Sequence, residues 1–160
     1  MSTLLLVLYG LTEKTGPVLT GRAAGVHLDE VFEHLRGLDD VFVQDLFGGS
    51  QREYRIGVRV VTELAWHSHF VRTMLVRPTP DELVHFAADY MIVDLPSFRA
   101  DPERHGCRSE TVIAIDYMHR LILIGGTGYA GEMKNAVFSV LNFVLPQQGV
   151  MPMHCSANIG

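Results

Sequence analysis

Apolar residues along this chain follow two periods, and the two alternate irregularly. Short runs rich in Val, Ile, Leu and aromatics, bounded by Gly, Pro or Asp, predict strands at 3–9, 41–47, 54–61, 90–95, 111–117 and 121–124. Met118, His119 and Arg120 turn the fifth of these into the sixth as a hairpin. Helical spacing predicts a first helix over 29–36, with Asp29 as N-cap and Gly37 past its end. A second covers 63–75 and places Leu64, His67, Phe70, Val71 and Met74 on one side. A third runs from Gly131 to just before Pro146, with Met133, Val137, Val140, Leu141 and Val144 in helical register. A short helix starts at Thr79, where Thr79 caps, Pro80 takes the first helical position and Glu82 completes a capping box. This mixture predicts one α/β (mixed α+β) domain over residues 1–160, a mixed β-sheet with flanking helices.

Composition narrows the class. The 160 residues are 48% apolar and 19% charged, which is globular rather than disordered. A net charge of −5 with no basic run excludes a general nucleic-acid binder. Two cysteines, Cys107 and Cys155, are too few for a disulfide scaffold, and a cytoplasmic location is the expectation. Cys155 reads as a small residue in an apolar strand. The run "LLLVLY" is far shorter than the ~20 apolar residues of a membrane helix and lacks the flanks of a signal peptide. It reads as a buried strand, with no membrane partner implied.

The stretch "IGGTGYAGEMKN" puts a glycine-rich turn between a strand and a helix and contains GTGYAG, a formal G-x-G-x-x-G. A dinucleotide fold needs an acidic residue about 20 positions later. No Asp or Glu follows Glu132, and only 29 residues follow Gly131. A Walker-A loop needs Gly-Lys-Ser/Thr, which does not occur. A tight turn that glycine makes sterically possible is the simplest reading.

Three segments occur together and in order: "RVVTELAWHSHFVRTMLVRP", "GGTGYAGEMKN" and "LNFVLPQQGVMPMHCSANIG". With the weaker "VFVQDLFGG" and "TGRAAG", they closely resemble the ATP-dependent phosphoenolpyruvate carboxykinases. The resemblance runs from about Val41 to Gly160 and is thin upstream. It implies an N-terminal, substrate-side domain with a mixed sheet, with the nucleotide-binding C-terminal domain and its P-loop absent from this chain. It implies oxaloacetate, phosphoenolpyruvate and ATP as partners, and Mg-ATP with a second divalent ion, commonly Mn2+, as cofactors. The family reaction converts oxaloacetate and ATP to phosphoenolpyruvate, CO2 and ADP. This chain reads as an incomplete part of that enzyme, inactive alone. The alternative is a non-catalytic relic or partner module that binds a small dicarboxylate, self-associates or docks on another subunit.

The same resemblance assigns roles. Tyr129 matches a tyrosine beside the substrate. Lys134 matches the first lysine of the family's "GEMKK", and at the start of a helix it adds charge for a carboxylate or phosphate. Asn135 stands where the family has a second lysine that touches substrate and ligates manganese; a metal-bound amine must be neutral, and asparagine supplies neither amine nor charge. His154 matches a manganese ligand near the nucleotide's terminal phosphate, against the plainer alternative of a buried strand histidine. Arg22 matches an arginine that grips a substrate carboxylate, a task suited to a guanidinium fork. His67 and His69 are two apart, point to different helix faces and read as structural.

Overall fold

A computed structural model describes residues 22–23, 26–156 and 158–159; the strand expected at 3–9 lies outside them. A two-residue ladder joins β1 (Arg22–Ala23) to β2 (Val26–His27), pairing Arg22 with His27. Helix α1 (Leu28–Arg36) follows at once. It starts one residue before the expected cap, so Asp29 sits inside the first turn, where its charge complements the helix dipole. At the other end the Gly37 N–H closes onto the carbonyls of Glu33 and His34.

The main sheet has five strands: β3 (Phe42–Gly48), β4 (Ile56–Thr62), β5 (Tyr90–Leu95), β6 (Val112–Asp116) and β7 (Leu121–Gly125). Their spatial order is β3-β4-β5-β7-β6. The three central strands β4, β5 and β7 run parallel, and an antiparallel strand closes each edge. This is the predicted mixed sheet with flanking helices. The expected strand at 54–61 begins late, because Tyr54 and Arg55 close a turn onto the Gln51 carbonyl. The hairpin from β6 to β7 forms as read. Asp116 makes the turn by accepting from the backbone N–H groups of Met118 and His119 and from the His119 ring. Burial pushes the Asp116 carboxyl up, but those bonds outweigh it and hold the group below its ordinary range.

Period-2 alternation sends the central strands' side chains into two separate cores. Met91, Val93, Leu95, Leu121 and Leu123 pack with Val31, Phe32 and Leu35 of α1. Ile92, Ile122, Ile124, Val58 and Val60 pack on the opposite face with Val71 of α2 (Ala65–Met74) and with Met133, Ala136, Val137 and Val140 of α5 (Gly131–Val144). The stripe read on α5 is the buried one, with Leu141 and Val144 at its margin. On α2 the expectation is corrected at two points. Glu63 and Leu64 precede the helix, and Met74 is exposed, so His67, Ser68 and Val71 form its buried side.

Between β4 and β5, α3 (Pro80–Val84) carries the complete capping box of Thr79 and Glu82. The backbone N–H of Thr79, with Arg55 beside it, holds the Glu82 carboxyl at about 2. A single helical turn not foreseen, α4 (Pro102–His105), is capped by Asp101 and ended by left-handed Gly106. No helix among the described residues is long and apolar enough to cross a membrane.

Candidate functional site

Parallel strands end together, and in open α/β sheets the strand C-termini are where ligands bind. Here β4, β5 and β7 deliver Thr62, Asp94 and Ile124 to one lateral row. Helix α2 leaves the end of β4, and α5 leaves the end of β7 through the loop 125–131. Both helices lie on the same face of the sheet.

The glycines of that loop have separate tasks. Gly126 adopts φ 72°, and a Cβ there would lie 2.5 Å from the Glu110 carbonyl oxygen. Only glycine tolerates both conditions. Gly131 lies under the Tyr129 ring, whose hydroxyl oxygen would be 2.6 Å from an added Cβ. Gly128 has open space where its side chain would be, so the middle glycine of the G-x-G-x-x-G match answers no steric need. The motif is a strand-to-helix turn.

Beneath the loop lies a polar cluster in an otherwise apolar core. Asp94 and His67 are both fully buried. Oδ2 of Asp94 accepts from the Thr62 hydroxyl at 2.7 Å and meets His67 Nδ1 at 2.6 Å. The other ring nitrogen, Nε2, lies 3.2 Å from the Gly128 carbonyl oxygen. A carbonyl only accepts, so Nε2 carries a proton. Burial pushes the Asp94 carboxyl above its ordinary value, against the lowering bonds from Thr62 and His67. Its Oδ1 is buried without a hydrogen-bond partner among the described residues.

Above the loop, two predicted site residues meet. Lys134 Nζ lies 2.9 Å from His154 Nε2. With the ammonium donating, Nε2 is the bare nitrogen and the ring proton sits on Nδ1. The His154 ring also packs on Phe138, one helical turn along α5 from Lys134. The chain reaches this position by a 3-10 turn at Pro146–Gln148, left-handed Gly149 and a return path along α5. His154 is therefore an exposed coil residue, not a buried strand histidine. Cys155 is likewise exposed, and it pairs with no strand among the described residues, so the expected strand does not form there.

The remaining predicted residues stand apart from that contact. Tyr129 is 63% exposed at the helix start, its ring over Gly131. Asn135 is exposed, and its amide lies 3.5 Å from Glu132 rather than turning to His154. Arg22 is placed by its backbone alone, in the β1–β2 ladder. Residue Ala130, at the cap of α5, has no side-chain acceptor, so the opening N–H groups of the helix carry no side-chain cap.

The donor set does not fit a resident metal ion by itself. Lys134 and His154 are bonded to each other, and no group of three or more His, Cys, Asp or Glu converges among the described residues. What these side chains can do is bind and orient an anion with the Lys134 ammonium and the His154 Nδ1–H, at the positive end of the α5 dipole.

A buried polar anchor under a strand-edge loop, with lysine and histidine meeting beyond it, marks an α/β protein with a candidate site at the parallel-strand termini. A sequence model of the phosphoenolpyruvate carboxykinase family matches residues 19–160, and the chain belongs to that family. It is 67% identical over 122 residues to the phosphoenolpyruvate carboxykinase (ATP) of Novosphingobium aromaticivorans, covering 76% of this chain and 23% of that protein. It is 58% identical over 144 residues to the same-named protein of Rhizobium rhizogenes, covering 90% of this chain and 26% of that one. The chain thus spans about a quarter of the length of these relatives.

Sequence reasoning missed Thr62 and Asp94 and gave His67 no task beyond packing. The signal was present. Asp94 is the one charge in the six-residue buried strand "YMIVDL", and a buried carboxylate requires a partner. His67, on the buried side of α2, is that partner.

Proposed function

We propose that this chain supplies the substrate-side part of an ATP-dependent phosphoenolpyruvate carboxykinase site, as a single N-terminal domain of that enzyme. The contact between Lys134 and His154 at the opening of α5 carries this reading. Lys134 provides fixed positive charge beside the start of the helix, where a dicarboxylate such as oxaloacetate or an enol phosphate gains from both. Tyr129 presents its exposed ring and hydroxyl at the same helix start. Arg22 supplies a second carboxylate grip. His154 would be the chain's own contribution to a manganese site completed by groups outside the described residues, where the metal would neutralise phosphate charge. Asn135 touches substrate and leaves that site short of an amine. Mn2+ and Mg-ATP are the cofactors of the full reaction, in the cytoplasm.

Phosphoryl transfer depends on groups that hold and neutralise the nucleotide's phosphates. The 160 residues contain no G-K-S/T loop to do so. The chain by itself is therefore inactive. Purified chain with oxaloacetate, ATP, magnesium and manganese should form no more ADP than a protein-free control. Oxaloacetate-dependent ADP formation above that control would overturn this reading. Met151, Met153 and Phe143 expose apolar surface along the return segment and α5, which favours self-association of the lone chain.

A further inference from the structure

The buried cluster under the loop has a property that follows from counting protons. His67 has two ring nitrogens, and each faces an acceptor. Nε2 faces the Gly128 carbonyl oxygen at 3.2 Å, and Nδ1 faces Asp94 Oδ2 at 2.6 Å. Both contacts are hydrogen bonds only while the His67–Asp94 unit holds two protons: one on Nε2 and one shared between Nδ1 and Oδ2. With one proton fewer, the unit has a charged Asp94 and a neutral ring. A ring with its proton on Nδ1 turns a bare Nε2 to the Gly128 carbonyl. A ring with its proton on Nε2 turns a bare Nδ1 to a carboxylate. One of the two contacts becomes repulsive, whichever tautomer forms. No solvent reaches the ring to compensate, because His67 is completely buried.

We propose that His67 is a positioning residue for the loop 125–131, acting with Asp94 as a two-proton clasp that holds the Gly128 carbonyl and thereby sets the turn presenting Tyr129 and the start of α5. The clasp crosses three elements. Asp94 is on β5, His67 on α2, and Gly128 lies between β7 and α5. Among the described residues it is the side-chain hydrogen bond that ties Gly128 to the body of the domain: Arg99 and Thr111 hold the Gly126 carbonyl, Tyr129 N–H bonds inside the loop to Thr127 Oγ1, and Glu132 N–H bonds to the Tyr129 carbonyl. Around the pair, the sheet contributes Thr62 and Asp94, the loop contributes the Gly128 carbonyl, and α2 itself contributes the Trp66 ring, edge-on at 4.1 Å. Glu63 is the other charged group bearing on Asp94, and its like charge favours retention of the shared proton. The clasp concerns the loop's own geometry, so its readouts need no substrate and stand whether or not the chain binds oxaloacetate.

The test is NMR of the nitrogen-15-labelled chain across mildly acidic to alkaline pH. It reads the His67 ring nitrogens and the exchange protection of the Tyr129 and Glu132 amides, corrected for intrinsic exchange. A protonated Nε2, with Nδ1 hydrogen-bonded through the proton it shares with Oδ2, should accompany a protected loop. As the unit loses its second proton, protection should fall by about tenfold or more, the worth of one hydrogen bond from a charged donor. Asp94→Asn replaces Oδ2 with an amide N–H that donates to bare Nδ1 and keeps the proton on Nε2. This variant should hold the loop at every pH and show no transition. His67→Phe keeps a ring of similar bulk without donors and should leave the loop unprotected throughout. A bare Nε2 while the loop is protected, the parent transition persisting in Asp94→Asn, or parent-like protection in His67→Phe would each overturn the proposal. Should His67→Phe not fold, the parent and Asp94→Asn decide it between them.

Discussion

The two ends of the candidate site are built differently. The loop 125–131 is fastened at Gly128 by side chains with no exposure to water, and at Gly126 by a left-handed backbone and by Arg99 and Thr111 on its carbonyl. The return segment that brings His154 to Lys134 is fastened from outside by one exposed hydrogen bond and one ring contact. The buried anchor costs desolvation of a carboxylate and imidazole, and what it gives in return is a fixed turn. The exposed contact costs little and fixes little. One half of the site is thus set by the fold of this chain, and the other half is laid on its surface, where exposed Met151 and Met153 flank the path.

Substitutions should separate the halves by size of effect. His67→Phe leaves the Gly128 carbonyl without its side-chain donor and Asp94 with the Thr62 hydroxyl alone, and breaking one side of a buried pair costs about 3–5 kcal/mol. Urea denaturation should show a loss of that order, with a lower midpoint and an unchanged slope. Gly126→Ala should cost about 1–2 kcal/mol from the left-handed backbone, plus the overlap with the Glu110 carbonyl. His154→Ala should change stability by no more than about 0.5 kcal/mol, as an exposed side chain on a return segment. A loss from His154→Ala as large as that from His67→Phe would erase the distinction between the halves.

Much of this architecture was legible in the chain, and the reasons differ by element. The strand Tyr90–Leu95 and the helix Gly131–Val144 were readable because a continuous apolar run and a clean helical stripe each had one sensible burial. Thr79 and Glu82 were readable because a capping box is entirely local. The helix Pro102–His105 was not, because four residues carry no periodicity. His67 was read as structural, which its burial bears out, but its bonds were not legible, for a different reason. Its partner Asp94 is 27 residues away and its acceptor Gly128 is 61 away, so its task exists only once three strands are parallel. For the site, the family likeness marked Lys134 and His154, and the fold brought them to 2.9 Å across a reversal that no local pattern announces. Asn135, adjacent to Lys134, turns to Glu132 instead.

That last residue gives the most direct test of the claim that this chain carries the substrate-side part of a carboxykinase site. Manganese titration of the parent chain and of Asn135→Lys, at mildly acidic and mildly alkaline pH, compares a donor set lacking the amine with one that has it. Weak binding by the parent and tighter binding by Asn135→Lys is the predicted result. The gain should appear mainly on the alkaline side, because the amine must shed its proton to bind. Equal affinities for the two proteins at both pH values would contradict the assignment of Lys134, Asn135 and His154 to one site.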